Sequence, residues 1–176
     1  MQAATMSSTR STNIAGNVLA DPRTGKYLIF QLGNEEFGTS VLKVREIMKI
    51  QEITAVPQTP LFVKGVINLR GRVIPVVDLR MKFGLPRQDY TERTCIVVVR
   101  TASSNGELPM GIVVDAVAEV LTLVAADIED TPDFGHGTDT PYLLGMAKIK
   151  GKVKILLDMD QVLSGQELQG LDALLK

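Results

Sequence analysis

From Tyr27 onward the chain alternates short apolar runs with glycine or proline breaks. The runs are rich in β-branched residues, and in chain order they read YLIFQL, VLKVREIM, GVINL, RVIPVV, CIVVV, MGIVV, AVAEVLTL, YLLGMAKI and KVKILL. Several short strands at such regular spacing are typical of a β-barrel or a β-sandwich. The pattern therefore predicts an all-β fold.

Helical signals are few and short. Asp78 opens DLRMKF and Asp158 opens DMDQVL, and an aspartate that directly follows a strand is a good N-cap. Near the C-terminus, leucines recur with the spacing of one helical face, at Leu168, Leu171 and Leu175. We expect short helices at these places, the last of them within residues 165–176.

The first two dozen residues differ from the rest of the chain. They are rich in Ser, Thr, Ala and Asn, show no hydrophobic periodicity and end in the turn-prone sequence DPRTG. They predict a flexible N-terminal tail over residues 1–24, followed by a single domain over residues 25–164.

The strongest sign of internal organisation is a repeat. GVINLRGRVIPVVDL (residues 65–79) aligns without a gap on GMAKIKGKVKILLDM (residues 145–159), and both read as strand, basic-Gly turn, strand and aspartate. A weaker echo joins FGTSVLKVREIM (37–48) to MGIVVDAVAEVL (110–121), a match that coincidence can also produce. Together they predict two small barrels of similar plan, each with a glycine-led strand, a V-x-E strand and a closing hairpin.

Composition and charge exclude several classes of function. The 176 residues carry a net charge of -1 and no block of lysine and arginine, so nothing draws the chain to nucleic acid or to an anionic membrane. A small barrel that binds single-stranded nucleic acid is the main rival class, and the aromatic content of 5% argues against its stacking platforms. No apolar run reaches the roughly 20 residues that span a bilayer. The lone Cys95 cannot form an internal disulfide, which fits a reducing cytosol.

The reagents of most enzymes are missing. The one histidine, His136, lies in the loop sequence FGHGTD, and no nucleophile elbow, phosphate-binding loop or dinucleotide fingerprint is present. Cys95 has no flanking His or Lys that would lower the pKa of its thiol. The acidic loop DIEDTPD lacks the spacing of a calcium site. We therefore expect no catalysis, no metal and no cofactor, with a metal-dependent enzyme built on the acidic loop as the second rival.

Polar residues beside the first hairpin favour surface recognition. If VREI is a strand, alternation places Val44 and Glu46 on one face. In the hairpin, Asn68 and Arg70 lie on the opposite side of the alternation from Ile67. An arginine fixed at a tight turn can make paired hydrogen bonds to a carboxylate. A mixed docking patch is one interpretation, and a set of merely solvated surface residues is the other.

The order and spacing of these motifs resemble a known family. KGVINLRGRVIPVVDLRMKF, GIVVDAVAEV and ILLDMD, with Pro57 and Pro60 before them, resemble the CheW family of bacterial chemotaxis coupling proteins from about Tyr27 to Leu163. The resemblance implies a pair of five-stranded, SH3-like barrels with no enzymatic activity. It also implies a cytoplasmic scaffold that joins the cytoplasmic tips of methyl-accepting chemoreceptors to the regulatory domain of the histidine kinase CheA. Membrane association would then come only through the receptor array.

The same resemblance implies roles for individual residues. Receptor contact is expected at Val44, Glu46, Asn68, Leu69, Arg70 and Gly71. Kinase contact, largely apolar and in the second lobe, is expected near Gly111, Val113 and Val117. The second turn reads Lys150-Gly151 where the first reads Arg70-Gly71, which indicates that the two hairpins face different partners.

Overall fold

A computed structural model describes residues 21–103, 106–132 and 141–175. The strands, in chain order, are β1 (Gly25–Leu32), β2 (Glu35–Ser40), β3 (Val44–Lys49), β4 (Val63–Leu69), β5 (Arg72–Asp78), β6 (Cys95–Ser103), β7 (Gly106–Val114), β8 (Ala116–Leu123), β9 (Ile128–Glu129), β10 (Leu143–Ile149) and β11 (Lys152–Leu157). The helices are α1 (Leu79–Lys82) and α2 (Gly165–Leu174), and 3-10 turns cover Val41–Lys43 and Ala125–Asp127.

These strands form two sheets, which we call lobe 1 and lobe 2. Lobe 1 has the strand order β3-β6-β7-β5-β4, and lobe 2 has the order β8-β1-β2-β11-β10-β9. The predicted all-β architecture of two small lobes is confirmed. Lobe 2 departs from the expected five strands because the two-residue β9 pairs with β10 at its edge.

The two lobes exchange strands. Gly38 on β2 lies opposite Leu156 on β11 in lobe 2, whereas Gly111 on β7 lies opposite Val76 on β5 in lobe 1. Each lobe therefore has the predicted glycine-led strand, V-x-E strand and hairpin, but the glycine-led strand comes from the other repeat. The prediction that placed Gly111 in the second lobe is wrong, because the chain crosses between the sheets after β2 and again after β7.

Glycine is required on these exchanged strands by packing. A Cβ atom at Gly38 would lie 3.0 Å from Cδ1 of Ile29, and one at Gly111 would lie 2.9 Å from Cγ2 of Ile96. Interiors packed at crystal-like density do not readily yield that space. The two glycines thus allow the exchanged strand to pass close to the neighbouring strand in each lobe.

Apolar side chains of the described residues form three clusters, one inside each lobe and one between the lobes. The lobe-1 cluster contains Ile67, Ile74, Val76, Ile96, Val98 and Val113. The lobe-2 cluster contains Tyr27, Ile29, Leu123, Ile128, Ala147 and Leu156. The central cluster contains Leu28, Phe30, Leu32, Phe37, Val63, Val77, Leu79, Val97, Val99, Leu108, Met110, Ile112, Val114, Leu157, Met159, Val162, Leu163, Leu168 and Leu171. Strands β1 and β6 are buried on both faces, which explains their continuous apolar sequences.

The two long hairpins close in the same way. Arg70 and Gly71 have φ values of 52° and 85°, and Lys150 and Gly151 have φ values of 52° and 77°. Positive φ at both central residues is the mark of the type I′ turn, whose twist matches that of the flanking strands. The basic residue at each turn is therefore held in a left-handed conformation.

The aspartates that end the two hairpins are followed by different structures, a helix after Asp78 and a turn after Asp158. The Asp78 carboxylate accepts a hydrogen bond from the backbone N–H of Arg80 and caps α1. The Asp158 carboxylate accepts from the backbone N–H of Asp160 at 3.0 Å, but a turn follows instead of a helix. The predicted helix at Asp158 is therefore wrong, since the same local capping contact leads only into a turn there.

The chain is fixed to lobe 2 before β1 begins. Arg23 donates hydrogen bonds to the Asp21 carboxylate, to Asp130 at 2.9 Å and to the Leu144 carbonyl at 3.0 Å, and the Tyr27 hydroxyl donates to the Arg23 carbonyl. Residues 21–24, which the sequence assigned to the flexible tail, thus contact the domain because Arg23 links them to β10. Residues 1–20 lie outside the described part of the chain.

Helix α2 packs on the central cluster through Leu168 and Leu171, both buried. A capping box between Ser164 and Glu167 starts the helix. Glu167 also accepts two hydrogen bonds from Nζ of Lys82 on α1, at 2.7 and 2.9 Å. The C-terminal helix is thereby tied by charge to the helix that follows the first hairpin.

Replacing Glu167 with glutamine tests this tie through its pH dependence. Burial acts to raise the pKa of Glu167, but hydrogen bonds from Lys82 and the Ser164 backbone outweigh it, so the pKa lies below its ordinary value of 4.5. A carboxyl whose folded pKa is lowered contributes stability above its unfolded pKa, and this contribution is lost as pH falls through the folded pKa. Glu167→Gln keeps the capping box and should cost about 0.5 to 1 kcal/mol at neutral pH.

The difference between the two proteins should then shrink as pH falls below 4.5, the ordinary value, and towards the lower pKa of Glu167 in the folded protein. Urea unfolding of both proteins at about pH 7 and about pH 3 measures it. An equal difference at both pH values would show that the charge of Glu167 is not what stabilises α2.

Candidate functional site

The first hairpin tip is joined to β3 by an ion pair. Arg70 donates from Nη1 to Oε1 of Glu46 at 2.7 Å and from Nη2 to Oε2 at 3.1 Å. The Arg70 side chain is 76% exposed and that of Glu46 is 24% exposed. Because β3 and β4 are the two edges of the lobe-1 sheet, this bidentate pair bridges the edges. At such exposure its contribution to stability is at most about 1 kcal/mol.

The two charged members of the predicted patch, Arg70 and Glu46, are therefore already paired with each other. Asn68 also has a partner within the hairpin, since its Oδ1 accepts a hydrogen bond from the Gly71 backbone N–H at 2.8 Å. Leu69 is half-buried and packs against the lobe-1 cluster. These contacts hold the turn rigid, so the Arg70 guanidinium stands at the surface in a fixed position with little freedom left to lose.

Val44 and Glu46 do not share a face, contrary to the alternation inferred from sequence. Val44 lies opposite Val99, but Glu46 lies opposite the adjacent residue Val98, with a bulge at Arg45 between them. A bulge inserts one residue and re-aims the side chains on either side of it. Val44 consequently packs against the central cluster, and the carboxylate of Glu46 turns to Arg70.

The equivalent strand of lobe 2 repeats this geometry. Val117 lies opposite Phe30 and Glu119 lies opposite Ile29, again with a register shift between them. Val117 packs against the central cluster, as Val44 does. The bulge is thus a common property of both V-x-E strands.

The residues predicted to contact a kinase are mostly inside the protein. Gly111 is buried on β7, Val113 is 3% exposed within the lobe-1 cluster, and Val117 is half-buried against the central cluster. Gly111 and Val113 also belong to lobe 1. These positions shape the barrel interiors and offer little surface to a partner.

Exposed aliphatic residues lie near each hairpin, and the sequence reasoning did not select them. In lobe 1 they are Ile47 and Val73, the latter opposite Asn68, and in lobe 2 they are Val120 and Val153, the latter opposite Lys148. The repeat alignment pairs Ile47 with Val120 and Val73 with Val153. Aliphatic residues at outward positions in both copies were the signal that could have identified them.

The two hairpin tips differ in charge. The second carries Lys148, Lys150 and Lys152, of which Lys148 pairs with Glu129 at 3.1 Å. Within residues 21–103, 106–132 and 141–175, Lys150 has no ion-pair partner that corresponds to Glu46. At the first tip Arg72 likewise has no ion-pair partner among these residues, and at the second tip neither Lys150 nor Lys152 has one. The first tip is thus partly neutralised and the second presents more unpaired positive charge.

Other candidate chemistry is absent from the described parts of the chain. They contain no group of three or more His, Cys, Asp or Glu that could hold a metal ion. Their helices are also all too short or too polar to cross a bilayer. Cys95 is half-buried and its thiol donates to the Arg93 carbonyl at 3.3 Å. His136 and Asp133, the last residue of the acidic loop, lie outside the described residues.

Comparison with known proteins gives consistent matches over most of the chain. Residues 26–167 match the family model described as CheW-like domain. The chain is 40% identical over 151 residues to chemotaxis protein CheW of Klebsiella aerogenes, covering 86% of this chain and 89% of the relative. It is 32% identical over 152 residues to chemotaxis protein CheW of Bacillus subtilis, covering 85% and 94%. The crystal structure of scaffolding protein TtCheW from Thermoanaerobacter tengcongensis superposes with a TM-score of 0.71 at 32% identity, covering 85% of this chain and 95% of the other.

Proposed function

The chain belongs to the CheW-like family, and from this premise we propose that it is a scaffold that couples transmembrane chemoreceptors to the histidine kinase CheA in bacterial chemotaxis. The observation that carries the proposal is a match to chemotaxis proteins and to a scaffolding protein that extends over nearly the whole two-lobed domain. A cytoplasmic location follows from this role, with the membrane reached only through the receptors.

The mechanism we propose is positional and involves no chemical step. The scaffold holds a receptor tip and the regulatory domain of the kinase in one assembly, so that a small receptor movement changes the population of active kinase. Such coupling requires two separate contact surfaces with a fixed spatial relation. The two hairpin ends, which share one geometry and differ in charge, are suited to that task.

We assign receptor contact to the first hairpin tip. Arg70 supplies a charged group that is 76% exposed and held by a rigid turn, so its ordering costs little on binding. Glu46 orients the guanidinium and leaves its outer edge free for a receptor carboxylate or carbonyl. Of the remaining members of the predicted set, Asn68 and Gly71 hold the turn through their hydrogen bond. Leu69 packs against the lobe-1 cluster and Val44 against the central cluster.

We assign kinase contact to the outer surface of lobe 2. The buried positions of Gly111 and Val113 argue against direct contact there. Val120 and Val153 are exposed aliphatic residues in the same lobe, and Lys150 adds an unneutralised charge at the neighbouring tip. A largely apolar contact with a basic edge is the chemistry that this surface offers.

Charge reversal at Arg70 tests the assignment of the receptor surface. Arg70→Glu places two carboxylates together and removes the donor, and we expect a loss of about 2 kcal/mol in receptor affinity, which is about thirtyfold in Kd. Binding of a soluble receptor cytoplasmic fragment and of the isolated kinase regulatory domain should be measured by calorimetry. Kinase affinity should change little, and the melting temperature should fall by only a few degrees, since the lost pair contributes at most about 1 kcal/mol.

The matched control is Lys150→Glu, which reverses the charge at the equivalent position of the other hairpin. It should leave receptor affinity unchanged. Full receptor affinity in the Arg70→Glu variant would refute the assignment, as would an equal loss in both variants.

A further inference from the structure

The chain passes between the lobes at two points, and both are held by a carboxylate. The first crossover is the 3-10 turn Val41–Lys43, which leads from β2 to β3, and the second is Asp115, which joins β7 to β8. Neither was singled out by its sequence. Each crossover lies beside a side-chain carboxylate that contacts residues of both lobes.

At the second crossover the carboxylate belongs to the crossover itself. Oδ2 of Asp115 accepts hydrogen bonds from Nη1 of Arg80 at 2.7 Å and from the Gly33 backbone N–H at 2.7 Å. Arg80 follows the hairpin of lobe 1, is 8% exposed and also donates to the Pro86 carbonyl. Gly33 lies in the turn between β1 and β2 of lobe 2. The contact therefore links the two lobes through one side chain.

At the first crossover the crossover itself supplies the cation, Lys43, and the carboxylate belongs to the residue that it contacts, Asp160. Oδ2 of Asp160 accepts from Nζ of Lys43 at 2.6 Å, and Oδ1 accepts from the Ala102 backbone N–H at 2.9 Å. Asp160 follows the hairpin of lobe 2, whereas Ala102 lies on β6 of lobe 1. Nη2 of Arg100 adds a hydrogen bond to the Leu42 carbonyl at 2.7 Å.

The repeat relates these two connections, with the charges exchanged. The match on the crossover is offset by one residue, because Asp115 aligns with Leu42 and Lys43 aligns with Ala116. Arg80 and Asp160 are each the second residue after the aspartate that ends a hairpin. Gly33 and Ala102 also occupy matching places in the repeat. Gly33 lies four residues after Ile29, which pairs with Gly38. Ala102 lies four residues after Val98, which pairs with Gly111. In one connection the cation follows the hairpin and the carboxylate lies on the crossover. In the other the two signs are reversed.

We propose that Arg80–Asp115 and Asp160–Lys43, which we call the two clamps, fix the angle between the lobes. The central cluster holds the lobes together, but apolar burial is non-directional and specifies an angle weakly. Charge-assisted hydrogen bonds that engage a backbone N–H specify geometry strongly. The four side chains act as positioning residues, with no partner contact of their own.

The functional consequence rests on the proposed scaffold role. If the receptor binds lobe 1 and the kinase binds lobe 2, simultaneous binding depends on how the two surfaces are oriented. Loss of a clamp should leave each single affinity unchanged and weaken formation of the three-component assembly by about tenfold, because linked binding is lost when geometry forbids joint engagement.

A distance measurement tests the clamps without any partner. Spin labels on Val73→Cys and Val153→Cys, two exposed and equivalent positions, report the separation of the lobes in a Cys95→Ser background by double electron–electron resonance. Lys43→Glu brings two carboxylates together, and Asp160→Arg brings two cations together. Each single variant should shift or broaden the distance distribution relative to the parent.

The double variant Lys43→Glu with Asp160→Arg gives this clamp the order of charges found in the other clamp, with the carboxylate on the crossover and the cation after the hairpin. It should narrow the distribution relative to both single variants because the ion pair is restored, although the Ala102 N–H loses its acceptor at position 160. Asp160→Asn keeps an acceptor for Ala102, and it should give an intermediate broadening if the reversed variants fail to fold. Glu129→Gln removes an ion pair inside one lobe without changing the residue opposite the label at Val153, and it should change nothing.

An unchanged distance distribution in folded Lys43→Glu, Asp160→Arg and Asp160→Asn would overturn the proposal, as would a double variant whose distribution is no narrower than that of either single variant. Because neither receptor nor kinase is used, these outcomes stand apart from the scaffold role. If the distances shift but the three-component assembly forms as in the parent, the clamps still fix the angle between the lobes. Only the proposed effect on assembly is then refuted.

Discussion

Replacing Glu36 with leucine is expected to lower the free energy of unfolding by about 3 kcal/mol, because it leaves a buried lysine without its partner. Nζ of Lys154 donates a short hydrogen bond to Oε1 of Glu36, and the Lys154 side chain is only 5% exposed. Lys154 lies two residues before Leu156 on β11, so it faces the lobe-2 cluster. Without Glu36 its charge would have no compensation inside the barrel.

Replacing Lys154 instead of Glu36 should lower the free energy of unfolding by less. Lys154→Ile leaves Glu36, whose side chain is 22% exposed and can be partly hydrated, so we expect a loss of about 1 kcal/mol. The equivalent of Lys154 in lobe 1 is Ile74, a buried residue of the lobe-1 cluster. An apolar residue is thus already accepted at this place in the other lobe.

The double variant Glu36→Leu with Lys154→Ile should recover to within about 1 kcal/mol of wild type or exceed it, since buried ion pairs are often replaced by apolar residues without loss. The chain has no tryptophan, so urea unfolding is best followed by far-ultraviolet circular dichroism. If Glu36→Leu alone is as stable as the double variant, the buried charge is not the source of the cost.

Replacing Gly65 with alanine should destabilise the protein by about 4 kcal/mol or more, because strain and a backbone clash coincide there. The φ angle of Gly65 is 143°, and a Cβ atom would lie 2.0 Å from the Thr54 carbonyl oxygen. That oxygen accepts the hydrogen bond from the Val66 N–H that closes this edge of lobe 1. Neither Thr54 nor β4 can move away without losing this bridge.

Two other glycines provide a graded comparison by the same unfolding assay. A Cβ atom at Gly145, the repeat equivalent, would lie 2.7 Å from the Glu129 carbonyl oxygen, so Gly145→Ala should cost less than Gly65→Ala. A Cβ atom at Gly170 in α2 would meet nothing within 4 Å, and alanine there should stabilise the helix by about 0.5 to 1 kcal/mol. A similar effect at all three positions would exclude steric crowding as the cause.

Much of the fold was predictable because its main signals are local. The hairpins over residues 65–79 and 145–159 follow from alternation, from a glycine at each turn and from a repeated spacing, all of which the chain encodes within a few residues of each other. Burial on both faces of β1 and β6 likewise follows from their continuous apolar sequences. These properties depend on neighbours in sequence.

The errors arose where geometry depends on distant parts of the chain. Alternation predicted that Val44 and Glu46 share a face, and the bulge at Arg45 separates them without any glycine or proline to mark it. Treating each repeat as one barrel placed β2 and β3 in the same lobe. Which strand pairs with which is a tertiary property, so the exchange could not be inferred from spacing.

The candidate site was predicted in part for the same reason. Arg70 and Glu46 were selected as separate members of a patch, and their direct pairing depends on closure of the lobe-1 sheet. Gly111 and Val113 fitted an apolar surface and a barrel interior equally well by sequence. Only the packing around them distinguishes the two, and it places them inside.

The exchange of strands has a consequence for the origin of the fold. A chain with a single repeat would hold the first two strands of one lobe and the remaining strands of the other, so it could complete neither alone. Two such chains would complete both as a domain-swapped dimer with two-fold symmetry. In that dimer the two hairpin tips would be identical. A single chain that contains both repeats has no such constraint, and here one tip carries Arg70 while the other carries Lys150.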